Sequence, residues 1–144
     1  PEKGNPEKSA YSGPASIGDQ NEIYTILYIE DNPSNLKLVQ TVLQSHQNIR
    51  FLSAKNALSG IDLAISERPH LVLMDINLPD IDGFDARNRL SDNDQTAGIP
   101  VVALSANAMP EDIEKARTAG FADYITKPIN INNFLETISA ALTA

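Results

Sequence analysis

LVLMDINLPDIDG, Leu71 to Gly83, is the stretch on which the fold turns. Four apolar residues, Leu71 to Met74, run straight into Asp75, and the chain then breaks into a loop holding Pro79, more acid and Gly83. A short continuous apolar run cut off by turn residues reads as a strand buried on both faces. Asp75 therefore stands where a buried strand meets solvent.

The same grammar recurs on either side. TILYI (Thr25 to Ile29) is an apolar run, followed by a helical pattern with Leu36, Val39, Val42, Leu43 and His46 in register. IRFLSA reads as a second strand, and KNALSGIDLAISER as a helix with Ala57, Leu58, Ile61, Ala64 and Ile65 on one face, stopped by Pro69. After LVLM come the helix GFDARNRL, the loop SDNDQTAG and the strand IPVVALS. PEDIEKARTAG has Pro110 near its first turn and Gly120 at its end, the usual helix asymmetry. FADYIT is the fifth strand, and INNFLETISAAL a helix with Ile131, Phe134, Leu135, Ile138, Ala141 and Leu142 on one side. Five strand-then-helix repeats imply an α/β doubly wound parallel sheet with right-handed crossovers and helices on both faces. Such sheets keep their function at the carboxyl ends of the strands.

Totals narrow the field. With 144 residues the chain fits one domain with a real core, and 42% apolar and 21% charged residues are ordinary for a globular protein. A net charge of −8 and a pI near 4.6 argue against a nucleic-acid or anionic-membrane surface. Without cysteine there is neither a disulfide framework nor a thiolate metal site, which fits a reducing, cytoplasmic setting. Apolar runs such as IPVVAL fall far short of the roughly 20 residues that span a bilayer, so no direct membrane insertion is expected. Residues 1–22 are rich in Pro, Gly, Ser, Asn and charge and read as a flexible linker or tail, leaving 23–144 as the folded domain.

The polar residues at the strand ends then fall together. Strand one ends in Glu30 and Asp31, strand three in Asp75, strand four in Ser105, and strand five runs into Lys127-Pro128. One acid at one strand end would be a helix cap or a solvated loop residue, and Asn32-Pro33 is itself a helix-start signal. Four strand ends each contributing a suitable group point to a site. Three converging carboxylates repel one another unless a cation sits among them, and Mg²⁺ takes such oxygen ligands. The lysine adds a mobile charge, and the serine a hydroxyl that donates to an oxyanion.

ILYIEDN, LVLMDINLPDIDG, VVALSAN and the Lys-Pro after strand five, in this order and spacing, make residues 25–142 resemble a response-regulator receiver domain of two-component signalling. The resemblance implies the flavodoxin-like (βα)5 fold with strand order 2-1-3-4-5. It implies that Asp75 is the phosphoacceptor, taking a phosphoryl group from a phosphohistidine. Asp31, Asp75 and the main-chain carbonyl of Asn77 would bind Mg²⁺, with Glu30 acting through a metal-bound water. Ser105 would hydrogen-bond the phosphoryl group, Lys127 would pair with its oxygens, and Tyr124 matches an aromatic switch position. Lys127-Pro128 is expected to be cis, which costs little before proline. Such a domain catalyses its own phosphorylation and dephosphorylation and serves as a switch or phosphorelay intermediate. Its partners would be a histidine kinase, a histidine phosphotransfer protein or a second receiver in a dimer. They would dock on the fourth helix, fifth strand and fifth helix, Met109 to Gly120 and Ile129 to Leu142.

The wording LSANAMPEDIEKARTAGFADYITKPI, the linker-like start and the missing Met suggest the C-terminal receiver of a hybrid sensor histidine kinase. The parent protein could then be membrane-anchored. Two alternatives compete. A Mg²⁺-dependent phosphatase of haloacid dehalogenase type also uses an aspartate nucleophile, but it wants Asp-x-Asp after its first strand, whereas Asp75-Ile76-Asn77 follows the third. A non-phosphorylated docking module would not need every acidic position intact. A flavin-binding reading lacks the phosphate loop after strand one, where IEDNPSN stands. His46 and His70 lack a kinase-like acidic neighbourhood and read as structural.

Overall fold

The computed structural model describes residues 16–143. Its elements are β1 (Tyr24–Ile29), α1 (Pro33–Gln44), β2 (Ile49–Ala54), α2 (Ala57–Glu67), β3 (Leu71–Asp75), α3 (Gly83–Asp92), β4 (Val101–Ser105), α4 (Pro110–Thr118), β5 (Asp123–Thr126) and α5 (Ile131–Thr143). All strands are parallel, in the order β2-β1-β3-β4-β5, the flavodoxin-like order the resemblance implies.

The expectation of strands buried on both faces holds for β1, β3 and β4, every residue of which is buried. It fails for β2 and β5, where exposed Arg50, Ser53 and Asp123 interrupt the pattern. These are the sheet's edges, and polar side chains there blunt pairing with other chains. Phe121, assigned to the fifth strand by pattern, instead packs in the turn before it, just after Gly120 at φ +100°.

Two cores sandwich the sheet. Ile26, Tyr28, Leu71, Leu73, Val102 and Leu104 face α1 and α5 through Val39, Leu43, Phe134 and Ile138. Leu27, Ile29, Val72, Met74 and Ala103 face α2, α3 and α4 through Ile61, Ala86, Leu90 and Ala116. Alternation of side chains along each buried strand supplies both layers at once.

Of the proposed linker, residues 1–15 lie outside the described residues. The remainder, 16–22, is held against the domain. Ile17 is fully buried in the α1–α5 core, Asn48 Nδ2 donates to its carbonyl at 2.8 Å, and Gly18 N–H donates to Ser139 Oγ at 3.1 Å. One isoleucine in a polar stretch supplies the apolar anchor that composition averages away. His70 Nδ1 accepts the Thr25 N–H at 2.9 Å, and His46 Nδ1 lies 3.2 Å from Val42 O, so both histidines serve local structure. Among the described residues no helix is long and apolar enough to cross a membrane.

Candidate functional site

Strand register assembles the site. Ile29 pairs with Met74, which sets Glu30 beside Asp75 at the carboxyl ends of the two central strands. Asp75 pairs with Leu104 and Ser105 with Thr126, so Ser105 and Lys127 emerge on the same edge, joined by a Lys127 N–H to Ser105 O bond of 2.9 Å. The Lys127-Pro128 bond is cis.

Glu30, Asp31 and Asp75 each offer an oxygen within 4.8 Å of the others. Their environments differ. Asp31 is exposed, Glu30 is completely buried and Asp75 nearly so. Lys127 Nζ bridges the buried pair, 2.9 Å from Glu30 Oε1 and 3.2 Å from Asp75 Oδ2. Glu30 also accepts from the Tyr28 hydroxyl at 2.7 Å and from the Asn32 N–H at 3.2 Å. Asp75 Oδ1 accepts the Asn77 N–H at 3.0 Å.

These contacts decide where charge resides. Burial, and then Glu30 beside it, push the Asp75 carboxyl up to about 6, against the pull of the Asn77 N–H and Lys127. Burial would raise Glu30 too, but Asp75, Tyr28, Lys127 and the Asn32 N–H outweigh it and lower it. Desolvation opposes the Lys127 ammonium, yet Glu30 and Asp75 raise it above its ordinary value. Burial and the bond to Glu30 keep the Tyr28 phenol protonated. Without a cation, Asp75 is thus the member of the buried pair that takes up a proton first as pH falls, while Glu30 keeps its charge.

The surrounding loops hold this geometry. Gly83 closes the loop after β3 by donating its N–H to Ile76 O at 2.8 Å, and a Cβ on Gly83 would stand 2.7 Å from Ile76 Cα. Only glycine lets α3 start so close behind Asp75. Asn32 caps α1 by accepting from Ser34 and Asn35 N–H, which turns the chain away and leaves Asp31 at the open rim. Ser105 is buried, and its Oγ accepts the Asn107 N–H at 3.1 Å. Tyr124 is half-buried and donates its hydroxyl to Asn107 O at 2.6 Å.

The model of the response regulator receiver domain matches residues 26–139. The chain belongs to that family. It is 39% identical over 120 residues to the polar-differentiation response regulator DivK of Brucella anthropi, covering 82% of this chain and 95% of that protein. Among solved structures it is similar to the receiver domain of a Pseudomonas aeruginosa sensor histidine kinase that carries a magnesium ion in its active-site cleft. The TM-score is 0.77 at 28% identity, over 85% of this chain and 99% of that one. It is also similar to the yeast response regulator Ssk1, whose receiver domain was solved with the histidine phosphotransfer protein Ypd1, at a TM-score of 0.75 and 28% identity, over 81% and 87% of the two chains.

As a receiver domain the chain is a two-component signalling module, and the phosphatase alternative has no support. Glu30, Asp31, Asp75, Asn77 and Lys127 line one cleft, while Ser105 and Tyr124 connect through Asn107 beside it. Tyr28 and Asn107 escaped the reading of the sequence. Tyr28 left one signal, a phenol in an aliphatic strand two residues before Glu30 and hence on the same face. Asn107 acts through its backbone and left none.

Proposed function

We propose that this receiver domain takes a phosphoryl group from a phosphohistidine onto Asp75 with Mg²⁺ bound, and acts as a signalling switch or phosphorelay intermediate. The observation that carries the reading is Lys127 seated between Glu30 and Asp75, with Asp31 completing three convergent carboxylates. Hard oxygen donors, one of them at the open rim, suit a Mg²⁺ that keeps several waters. Asp31, Asp75 and the Asn77 carbonyl would hold it, with Glu30, already engaged by Tyr28 and Asn32, acting through a water. When bound, Mg²⁺ offsets the negative charge of donor and acceptor.

The chain's own groups do the rest. An Asp75 carboxylate oxygen forms the new bond to phosphorus as the phosphorus–nitrogen bond breaks, and the electron pair leaves with the imidazole. Lys127 pairs with the phosphoryl oxygens. Ser105 Oγ accepts from Asn107, which leaves its own proton free for a phosphoryl oxygen. Asn107 also accepts from Tyr124, so a movement of Ser105 is passed to the outer face of β5.

The partner is a histidine kinase or a histidine phosphotransfer protein. The test is to mix the chain with a phosphorylated phosphotransfer protein and Mg²⁺. Label is expected to pass to the wild type and to remain on the donor with Asp75→Asn or with Mg²⁺ chelated. Equal transfer to Asp75→Asn would refute the reading.

A further inference from the structure

The loop that carries Asn77 is tied to a second helix by one carboxylate. Residues 76–82 join β3 to α3, and most of their hydrogen bonds are local: Asn77 N–H to Asp75, Gly83 N–H to Ile76 O, and Asp85 N–H to the Asp82 cap. Asp80 differs. Its Oδ1 accepts the Ala57 N–H at 2.9 Å and its Oδ2 the Leu58 N–H at 2.8 Å, at the start of α2. Among the described residues, Asp80 is the one side chain of this loop that hydrogen-bonds to an element other than α3, the helix the loop leads into.

The grip is complete on both sides. A helix leaves its first N–H groups without internal partners. At α2, Asn56 Oδ1 takes the Ser59 N–H and Asn56 O the Gly60 N–H, leaving Ala57 and Leu58 to Asp80. A carboxylate there also meets the positive end of the helix dipole. Desolvation works against the charge, but backbone N–H groups, those of Leu58 and Ala57 foremost, together hold the Asp80 carboxyl below its ordinary value.

We propose that Asp80 is a positioning residue for phosphoryl acceptance at Asp75: by clamping loop 76–82 to α2, it holds the Asn77 carbonyl at the mouth of the acidic cleft. The proposal rests on the function proposed above. Leu78 and Ile81 pack against the second core and keep the loop folded without the clamp. What the clamp adds is a fixed position for the backbone of Asn77, so that the loop need not be ordered when a cation binds.

The test compares Asp80→Ala with Asn56→Ala in the full chain. Both remove caps from α2, and both lower the melting temperature. Only the Asp80 cap comes from the loop. Titration calorimetry with Mg²⁺ is expected to show binding about ten-fold weaker in Asp80→Ala, the lower end of what losing an outer partner of a metal ligand does. Asn56→Ala keeps wild-type affinity, and Asp80→Asn, with one acceptor left, falls between. Saturating Mg²⁺ restores most of the acetyl phosphate labelling rate in Asp80→Ala. Unchanged affinity in Asp80→Ala, or an equal loss in Asn56→Ala, overturns the clamp while wild-type labelling on Asp75 still stands. A wild type that neither binds Mg²⁺ nor gains a phosphoryl group overturns the proposed function together with the clamp.

Discussion

Lys127 and Glu30 stand 97 residues apart in the chain, and their side chains meet at 2.9 Å. The parallel sheet makes that meeting, because β1, β3, β4 and β5 all deliver their carboxyl ends to one edge. The lysine engages Glu30 Oε1 and Asp75 Oδ2, members of the same carboxylate cluster that a cation would have to neutralise.

Lys127→Ala should therefore have two opposite effects. Without Mg²⁺ it removes the ammonium that bridges a buried acid pair, costing about 1–3 kcal/mol, less than for a fully buried pair because Asp75 can take up a proton. Mg²⁺ should bind more tightly, since a competing charge is gone. Chemical denaturation and calorimetric titration read the two effects, and weaker Mg²⁺ binding would contradict the competition.

Asp75 gives the metal-free protein a pH signature. Its carboxyl is raised from an ordinary 3.8 to about 6, so the folded state binds its proton more tightly than the unfolded chain. The resulting stabilisation is full below the unfolded value and is lost as pH rises through the folded one. Asp75→Asn lacks this loss, so its melting temperature relative to wild type should climb between about pH 4 and about pH 6.5. Mg²⁺ should reduce the difference by stabilising the wild type. A difference that stays flat with pH would mean that Asp75 is not raised.

Tyr28→Phe keeps the ring in the α1–α5 core but deletes the 2.7 Å donor to Glu30. The loss should be about 2 kcal/mol, typical for a hydrogen bond to a buried charge. In the metal-free protein the Glu30 carboxyl should titrate at higher pH, visible by carboxyl-carbon NMR. An unshifted Glu30 would show that the Tyr28 hydroxyl does not help to hold its charge.

Beryllofluoride, standing in for the phosphoryl group on Asp75, should perturb NMR resonances from Ser105 to Met109 and around Tyr124, along the Asn107 link. Changes in α2 between Ala57 and Ile65 should be small, and Ser105→Ala should damp those at Tyr124. Shifts confined to the acidic cleft would leave a phosphate relay without a conformational switch.

Strand periodicity and turn residues made most of this legible in advance, since a buried parallel strand is a continuous apolar run whose end is marked by a break such as Asp75-Ile76-Asn77. Glu30, Asp31, Asp75, Ser105 and Lys127 were legible as strand-end residues. Tyr28 and Ile17 were not: the place of the phenol two residues before Glu30 does not reveal its hydrogen bond, and the burial of Ile17 shows only in the packing. Asp80 was hidden for another reason: it looks like any loop acid, and its partners are backbone N–H groups more than twenty residues away. Edge strands β2 and β5 broke the buried-strand rule because the rule holds only for strands paired on both sides.

The most direct measurement traps the acyl phosphate itself. After labelling with acetyl phosphate and Mg²⁺, borohydride reduces an aspartyl phosphate to homoserine, and peptide mass spectrometry locates the altered residue. Homoserine at position 75 alone, absent without Mg²⁺, is the expected result. Homoserine at Asp31 or at another aspartate with Asp75 unchanged would contradict the assignment of Asp75 as the phosphoacceptor.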